Sequence, residues 1–419
     1  MMKVLLVNTS ERTGGAAIAT HRLMRALNKA GVQAKMLVRD KQTDDEDVLY
    51  LDVNPALLKA KFCAERAEIF AANMLQRENL WTVDIATHGT DITNHPAFQE
   101  ADIIHLNWIN QGMLSLSDIR RIVDSGKKIV WTLHDMWPCT GICHHAENCQ
   151  GWLAACGNCP KLARPSDGDL SARTFRRKRE AYGERRICFV ACSHWLADIA
   201  RRAPLLNGCR VESIPNAIDT HFYQPGDKAE ARKHLGLPTD KHLMLFVAHK
   251  ATDELKGINY LIEATRLMKE KRPEWIKKLG VVPVGKGASS LQNAFACDCY
   301  PIDYVSEAST MRDLYRAADV LVMPTLMDNL PNTIVEAMSC ALPCVAFNVG
   351  GLPQMVQNGL NGFLARYRDA DDIARLSLET LFSSNYERLA EGAHRTAQTS
   401  YNEEVVAAQY IKLYESLIK

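Results

Sequence analysis

The sequence predicts an α/β protein built from two doubly wound domains, and three observations lead to this expectation. A chain of 419 residues exceeds what a single hydrophobic core usually supports. Short apolar runs without polar alternation are interspersed with longer helical patterns, which is typical of parallel sheets covered by helices on both faces. A segment punctuated by proline and glycine, residues 214–238, separates two sets of these runs.

Each set of apolar runs predicts one Rossmann-like sheet. The strands expected in the first half are Val4–Val7, Ala34–Val38, Ile103–Leu106, Ile129–Leu133, Phe189–Ala191 and Val211–Ile214. Those expected in the second half are Leu243–Val247, Gly280–Val284, Tyr300–Ile302, Val320–Met323 and Cys344–Phe347. The domains are therefore expected to span residues 1–215, with a cysteine-rich loop at 139–162, and residues 216–398. Apolar positions at helical spacing predict a final helix within residues 399–419.

Composition narrows the class of protein further. Hydrophobic residues make up 47% of the chain and the net charge is +1. The chain therefore lacks the excess of basic residues that would indicate a nucleic-acid partner. No run reaches the roughly 18 apolar residues of a membrane helix, and the N-terminus reads as a first strand rather than a signal peptide. The thirteen cysteines are then expected to be reduced thiols in a cytoplasmic protein.

The most informative segment covers residues 318–364. The strand Val320–Met323 runs into a polar loop, and a helix is expected to open at Asn332 and Thr333 with Glu336 in its first turns. A helix start offers unpaired N–H groups and a partial positive charge, which suit a diphosphate. Glu336 can accept hydrogen bonds from two ribose hydroxyls, and Asp328, on the loop, can face another part of the same ligand.

This pair of acids resembles the acid-x7-acid signature of retaining glycosyltransferases of family 4, which have the GT-B fold. The family usually has glutamate at both ends, whereas here the first acid is Asp328. Glycines that follow also match the family: Gly350, Gly351, Gly359 and Gly362. The resemblance implies two Rossmann-like domains facing each other across a cleft, with the acceptor on the first, the nucleotide sugar on the second, and the last helix packed back on the first.

Two features of the first half fit this family. Gly14 and Gly15 follow the first strand and open a small-residue helix, without the G-x-G-x-x-G dinucleotide fingerprint. By resemblance they would face the donor phosphates and the acceptor; the alternative is a glycine turn without a ligand. His134 ends a buried strand and matches the family histidine that contacts a hydroxyl of the donor sugar, although a strand-end histidine is often purely structural.

The cations that are expected to contact the leaving group lie in the second half of the sequence. Lys256 precedes Gly257 and a helix, and Lys250 lies six positions earlier, where the family has arginine. By resemblance the pair would neutralise the departing diphosphate, a contribution that is commonly the largest in catalysis. Lysine lacks the bidentate fork of arginine, and His249 could share its role. The alternative is a pair of solvated lysines.

The cysteines at positions 143, 149, 156 and 159 form a C-x5-C-x6-C-x2-C pattern. Four thiolates can close a tetrahedral structural zinc site, which would pin the loop after His134 and leave no open position for catalysis. The alternatives are unligated or redox-labile thiols and a disulfide. A basic run at 171–186 could attract anionic lipid headgroups or simply be a solvated face. The apolar spacing of Leu58, Phe62, Ile69 and Phe70 could line a lipid-acceptor cleft or belong to the core.

The sequence as a whole therefore predicts a retaining hexosyltransferase-type enzyme without a catalytic cofactor. It would move a sugar from a nucleoside-diphosphate sugar to a glycan or lipid-linked acceptor, in bacterial surface polysaccharide synthesis, with peripheral contact to the inner membrane face. A nucleotide-sugar epimerase of the same fold is the alternative. A dehydrogenase is disfavoured by the missing fingerprint, and a zinc-ribbon binding module would leave most of the chain unexplained.

Overall fold

The computed structural model of the protein describes residues 1–183 and 186–419. The chain forms two compact units. Unit 1 comprises Met1–Ala217 together with Val406–Lys419, and unit 2 comprises Ile218–Val405. Each unit contains one parallel sheet with helices packed against it.

The sheet of unit 1 has the strand order β3-β2-β1-β4-β5-β6-β7, and all neighbouring strands in it are parallel. Its strands are β1 (Lys3–Ser10), β2 (Gln33–Asp40), β3 (Val48–Tyr50), β4 (Ile103–Leu106), β5 (Lys128–Leu133), β6 (Ile187–Ala191) and β7 (Val211–Ser213). The accompanying helices are α1 (Gly15–Lys29), α2 (Pro55–Ala72), α3 (Pro96–Glu100), α4 (Leu116–Asp124), α5 (Leu170–Tyr182) and α6 (His194–Arg202).

The sheet of unit 2 has the order β10-β9-β8-β11-β12-β13 and is likewise parallel. Its strands are β8 (His242–Lys250), β9 (Leu279–Lys286), β10 (Asp298–Cys299), β11 (Val320–Met323), β12 (Cys344–Phe347) and β13 (Gly362–Ala365). Its helices are α7 (Lys228–Leu235), α8 (Ile258–Lys271), α9 (Pro273–Ile276), α10 (Ala308–Ala317), α11 (Asn332–Ser339), α12 (Leu352–Met355), α13 (Ala370–Leu381) and α14 (Tyr386–Ser400).

Helix ends follow local sequence chemistry. Ser115 and Asp118 form a reciprocal capping box at the start of α4. Asp169 caps α5 by accepting hydrogen bonds from two backbone N–H groups, and Ser193 caps α6. Gly236 ends α7 in the left-handed conformation that glycine adopts at low cost.

The last helix, α15 (Glu403–Ile418), contributes to the core of unit 1. Val406 and Tyr410 are buried in a cluster with apolar side chains of β1, β2 and α1. Tyr414 Oη lies 2.7 Å from Nδ1 of the buried His105 on β4, whose Nε2 lies 2.7 Å from Thr132 Oγ1. This arrangement satisfies the ring nitrogens of His105, and burial lowers the pKa of His105 to about 3.

The predicted fold class is confirmed, and most predicted strands coincide with observed ones. The expected strand Tyr300–Ile302 is wrong, because the short strand β10 precedes it and only Ile302 makes an isolated bridge, to Val284. Sequence reasoning missed β3 and β13, which are three and four residues long and only partly buried. Short edge strands carry little apolar signal because one side of each has no neighbouring strand. Among the described residues, no helix is long and apolar enough to cross a membrane.

Candidate functional site

The carboxyl edge of the unit 2 sheet gathers the predicted donor residues. The chain order reverses between β8 and β11, and ligands in open α/β sheets bind at such a switch point. The loop after β11 docks on the 3₁₀ turn Glu254–Lys256, since Leu326 N donates to Leu255 O at 2.9 Å and Thr325 Oγ1 donates to the same oxygen at 3.2 Å. This docking places Lys256 beside the loop between β11 and α11, the acidic loop, which carries Asp328.

Lys256 and Asp328 form an ion pair at this edge. Lys256 Nζ donates to Asp328 Oδ2 at 2.6 Å, and both side chains are mostly buried. Burial alone would lower the pKa of Lys256, but the carboxylate of Asp328 outweighs it and raises that pKa above its usual value. Lys256 is therefore a fixed cation at the switch point.

Gly257 explains how Lys256 is held so close to the loop. Its φ is +80°, and a Cβ at this position would overlap the Pro324 carbonyl oxygen. Gly350 has the same role on the other side, with φ +59° and no room for a Cβ beside the Asp328 carbonyl. The N–H of Gly351 donates to that carbonyl at 3.2 Å. Two glycines thus clamp the backbone of the acidic loop.

Helix α11 begins at Asn332 as predicted and places Glu336 one turn inside. Glu336 is 7% exposed, and its Oε2 accepts a hydrogen bond of 2.7 Å from Tyr315 Oη on α10. Burial, followed by the charge of Glu336, raises the pKa of Tyr315 well above its usual value, so the hydroxyl remains a donor. Thr333, also predicted, donates to Met323 Sδ at 3.6 Å.

Lys250 and its neighbour His249 are exposed at the end of β8. His249 forms an edge-to-face contact with Tyr304, with ring centroids 5.7 Å apart, and the ammonium of Lys286 lies 5.2 Å from the centre of the Tyr304 ring. Lys250 therefore lies at the same sheet edge as Lys256 but closer to solvent.

At the carboxyl edge of unit 1, Gly14 caps α1 with φ +92° and has nothing within 4 Å of a notional Cβ. Gly15 follows it, and both are exposed. A helix start with open space around Gly14 allows close approach of an anionic group. The structure thus places both predicted glycines next to the switch point between β1 and β4.

His134 directly follows β5 and is half-buried. Its Nε2 lies 3.3 Å from Asn107 Oδ1, and its Nδ1 lies 3.7 Å from Cys192 Sγ. Burial lowers the pKa of His134 to about 4, so the ring is neutral at neutral pH and its single N–H, on Nε2, donates to Asn107 Oδ1.

A network of buried ionisable side chains lies next to His134, and sequence reasoning missed it. Asp135 Oδ2 lies 2.8 Å from His144 Nδ1, and Asp84 Oδ2 lies 3.4 Å from His144 Nε2. Arg66 donates to Asp84 Oδ1 at 2.7 Å. Although burial opposes it, the two carboxylates raise the pKa of His144 to about 9, so His144 is a cation between two anions.

Glu65 is the last member of this network, and its carboxyl group is protonated. Its Oε1 accepts hydrogen bonds from the N–H groups of Ile85 and Ala86. Burial, then repulsion from Asp84, raises the pKa of Glu65 to about 9. Within the described residues no hydrogen-bond donor reaches Oε2. Because Glu65 is protonated, it adds no negative charge beside Asp84.

The structure does not support the predicted zinc site. Cys143, Cys149, Cys156 and Cys159 all line one small cavity, of about 20 Å³. Yet in residues 1–183 and 186–419 no group of three or more His, Cys, Asp or Glu side chains is arranged to hold a metal ion. Burial raises the pKa of Cys143 to about 11 and that of Cys156 to about 12, so both thiols keep their protons. None of the thirteen cysteines, each a described residue, forms a disulfide bond.

Apolar packing and buried polar contacts hold the cysteine-rich loop. Cys156 packs against the main core of unit 1, whereas Cys159 belongs to a separate apolar cluster. Lys178 of α5 is fully buried and donates to Trp137 O at 2.6 Å and to Thr140 O at 3.0 Å. Its ammonium lies 3.3 Å from the centre of the Trp137 ring. A lysine from the basic run thus constrains the loop that zinc was expected to pin.

The rest of that basic run faces solvent. Helix α5 exposes four arginines, namely Arg173, Arg176, Arg177 and Arg179, whereas Glu184 and Arg185 lie outside the described residues. In α2, Leu58 and Ile69 are buried in two different clusters, and Phe62 and Phe70 are half-buried. The apolar spacing of α2 is therefore mainly core packing.

Comparison with known proteins assigns the family. The description "Glycosyltransferase Family 4" matches residues 13–222, half of the chain, and "Glycosyl transferases group 1" matches residues 241–381. The chain belongs to glycosyltransferase family 4. This confirms the predicted family.

Two curated members of this group resemble the chain over a part of its length. D-inositol 3-phosphate glycosyltransferase 2 of Catenulispora acidiphila is 31% identical over 176 residues, which cover 39% of this chain and 41% of that protein. D-inositol 3-phosphate glycosyltransferase of Streptosporangium roseum is 32% identical over 181 residues, 40% of each chain. The chain thus spans about two fifths of the length of these relatives.

Solved glycosyltransferases share the fold across the whole chain. Sucrose-phosphate synthase from Thermosynechococcus elongatus superposes with a TM-score of 0.71 at 19% identity, covering 100% of this chain and 99% of its own. Anabaena HepE, solved with UDP-glucose, gives 0.65 at 15% identity, covering 99% and 100%. WaaG, a glycosyltransferase involved in lipopolysaccharide biosynthesis, gives 0.61 at 15%, covering 98% and 99%. These likenesses confirm the GT-B fold of this family 4 chain.

We predict that Gly257→Ala displaces Lys256 from Asp328. The added methyl would overlap the Pro324 carbonyl oxygen and would also have to adopt a positive φ. The free energy of unfolding should fall by more than about 2 kcal/mol. Gly236→Ala is the matched control, because φ is +65° there but nothing lies within 4 Å, so it should cost only about 1 kcal/mol. Equal losses in urea unfolding would show that the clamp does not exist.

We predict that the free energy of unfolding depends on pH and that Glu65→Gln weakens this dependence. The native carboxyl keeps its proton up to about pH 9, whereas the unfolded one loses it near pH 4.5. The native state therefore binds more protons, and the free energy of unfolding falls as pH rises between these values, by up to about 1.4 kcal/mol per pH unit. Glutamine keeps the hydrogen bonds and removes this titration.

Urea midpoints at about pH 6, 7.5 and 9 measure the effect. The Glu65→Gln profile should be flatter than that of the unmutated protein. Glu68→Gln, an exposed substitution in the same helix, should leave the slope unchanged. Parallel profiles for Glu65→Gln and the unmutated protein would mean that Glu65 is ionised in the native state.

Proposed function

We propose that this chain is a retaining glycosyltransferase that moves a sugar from a nucleoside-diphosphate sugar to a glycan or lipid-linked acceptor. The Lys256–Asp328 ion pair, 2.6 Å long at the switch point of unit 2, is the observation that carries the proposal. It holds a cation at the edge where open α/β sheets bind ligands, near the start of α11. Such a cation suits a diphosphate leaving group.

In the proposed reaction the bond between the anomeric carbon and the diphosphate oxygen breaks, and a bond from that carbon to the acceptor hydroxyl oxygen forms. The acceptor proton passes to an oxygen of the departing diphosphate on the same face. Lys256 stabilises the negative charge that develops on the diphosphate, and the more exposed Lys250 assists it. Asp328 keeps Lys256 oriented before the donor arrives and then contacts the sugar.

Other predicted residues bind rather than react. The carboxylate of Glu336 accepts hydrogen bonds from the ribose hydroxyls. Asn332 and Thr333 lie in the first turn of α11, where backbone N–H groups can approach the diphosphate. In unit 1, the neutral His134 contacts a hydroxyl of the donor sugar, and Gly14, followed by Gly15 at the start of α1, leaves room for the phosphates.

The comparisons bear on the donor and the acceptor differently. HepE was solved with UDP-glucose and shares the fold along the whole chain, which favours a UDP-sugar donor. The likeness to WaaG favours an acceptor in bacterial surface polysaccharide synthesis. The curated relatives are named for D-inositol 3-phosphate, so a phosphorylated cyclitol is the second candidate acceptor.

A transfer assay tests the proposal. The protein is incubated with UDP-glucose, UDP-galactose, UDP-N-acetylglucosamine or GDP-mannose, and with methyl glycosides, a lipid-linked sugar or D-inositol 3-phosphate. Product with retained anomeric configuration and stoichiometric nucleoside diphosphate supports the proposal. Conversion of the donor to its epimer without an acceptor would identify an epimerase instead. An inverted product would overturn the retaining mechanism.

We predict that Glu336→Ala weakens UDP binding by about 10- to 100-fold, because two ribose hydroxyls lose a charged acceptor. Isothermal titration with UDP measures this. Tyr315→Phe is the control, because it keeps the carboxylate and removes only the hydroxyl that donates to it. The control should shift the UDP affinity much less. A folded Glu336→Ala variant with unchanged UDP affinity would remove Glu336 from the ribose site.

We further propose that the exposed arginines of α5 contact anionic lipid headgroups. Each basic residue near such a surface contributes on the order of 1 kcal/mol. Arg176→Gln with Arg177→Gln should weaken co-sedimentation with phosphatidylglycerol vesicles about tenfold or more at low salt. Arg388→Gln with Arg395→Gln removes the same charge from the exposed surface of unit 2 and should have little effect. Equal losses would indicate general charge attraction.

A further inference from the structure

A tryptophan occupies the switch point of the unit 1 sheet. Trp108 lies just beyond the end of β4, and β4 pairs with β1 where the strand order reverses. Its N–H donates to Asn8 Oδ1 at 2.8 Å, and its carbonyl accepts from Thr9 N at 2.8 Å. The backbone of Trp108 therefore ties the two strands together at the position where open α/β sheets bind ligands.

The indole ring is held by its polar end. Trp108 Nε1 donates to Asp135 Oδ2 at 3.0 Å, and the ring stacks on His144 with centroids 5.7 Å apart and an interplanar angle of 27°. The indole N–H is therefore already used within the protein. What the half-buried side chain still exposes is apolar ring surface rather than a hydrogen-bond donor.

The support behind the ring is rigid. Asp135 also accepts from Trp137 N at 2.8 Å with its other oxygen, and it contacts His144 at 2.8 Å. His144 in turn contacts Asp84, which is bound by Arg66. Because these groups are ordered on folding, a ligand that stacks on Trp108 has little side-chain entropy to remove.

Trp108 differs from the tryptophans that only fill the core. The indole N–H groups of Trp131 and Trp137 also donate to protein oxygens, but these two residues are only 1% and 0% exposed. Trp108 has the same internal anchoring and yet remains half-buried, between the exposed Gly14 and the half-buried His134 in the order of the sheet edge.

We propose that Trp108 is the platform on which a hydroxylated six-membered ring of the acceptor, a pyranose or a cyclitol, stacks with its C–H face. This inference rests on the proposed transferase function and adds a residue that positions and selects the acceptor. The exposed apolar surface of Trp108 packs against the ring carbons of the acceptor.

Kinetics of Trp108→Ala and Trp108→Phe test the platform, with UDP-glucose as donor and with a methyl glucoside and D-inositol 3-phosphate as acceptors. Loss of the stacking surface should raise the acceptor KM about tenfold for alanine and less for phenylalanine. The kcat should change less than the acceptor KM. The UDP-glucose KM and the UDP affinity should stay within about twofold, which also shows that the variants are folded.

Trp275→Ala is the matched control, because it removes another half-buried indole, in unit 2. It should leave the acceptor KM unchanged. Trp108 variants with an unchanged acceptor KM overturn the platform. A raised UDP-glucose KM with an unchanged acceptor KM would show that the ring belongs to the donor and would also overturn it.

Saturation-transfer NMR of the same two acceptors separates this inference from the transferase proposal. Binding to the unmutated protein that is lost in Trp108→Ala, without any transfer, would support the platform and contradict only the proposed function. If the unmutated protein neither binds nor glycosylates either ring, the platform is wrong as well.

Discussion

Parallel strand pairing is the constraint on which the two candidate sites depend. All pairings between the named strands of the described residues are parallel, so the carboxyl ends of all strands in a sheet lie at one edge. In unit 2 this brings Lys256, after β8, to Asp328, after β11, although 72 positions separate them in the chain. In unit 1 it brings Trp108, after β4, to Asp135, after β5.

The edge of unit 1 carries an unusual amount of buried charge. His144 lies between Asp84 and Asp135, and Arg66 adds a second cation, so the two aspartates and the two cations compensate one another. Burying charges is costly unless they are paired and hydrogen-bonded. Glu65 avoids a third negative charge by keeping its proton. This region is therefore stabilised by electrostatics that depend on every member being present.

The cysteine-rich loop shows how a motif can mislead. The spacing of Cys156 and Cys159 is common in zinc sites, but their side chains pack into two separate apolar clusters. A buried thiol with a raised pKa behaves as a small apolar side chain. The loop is instead fastened by Lys178, which the sequence presents only as one member of a basic run.

The sequence by itself determined the fold class, the family and most strands, and it predicted Lys256, Asp328 and Glu336 as candidate site residues. These follow from local periodicity and from motifs within short segments, where neighbouring residues carry the signal. Tertiary structure alone decided which distant side chains meet. The hydrogen bond from Trp108 to Asp135, the proton held on Glu65 and the burial of Lys178 arise from contacts between separate elements, and no local pattern encodes them.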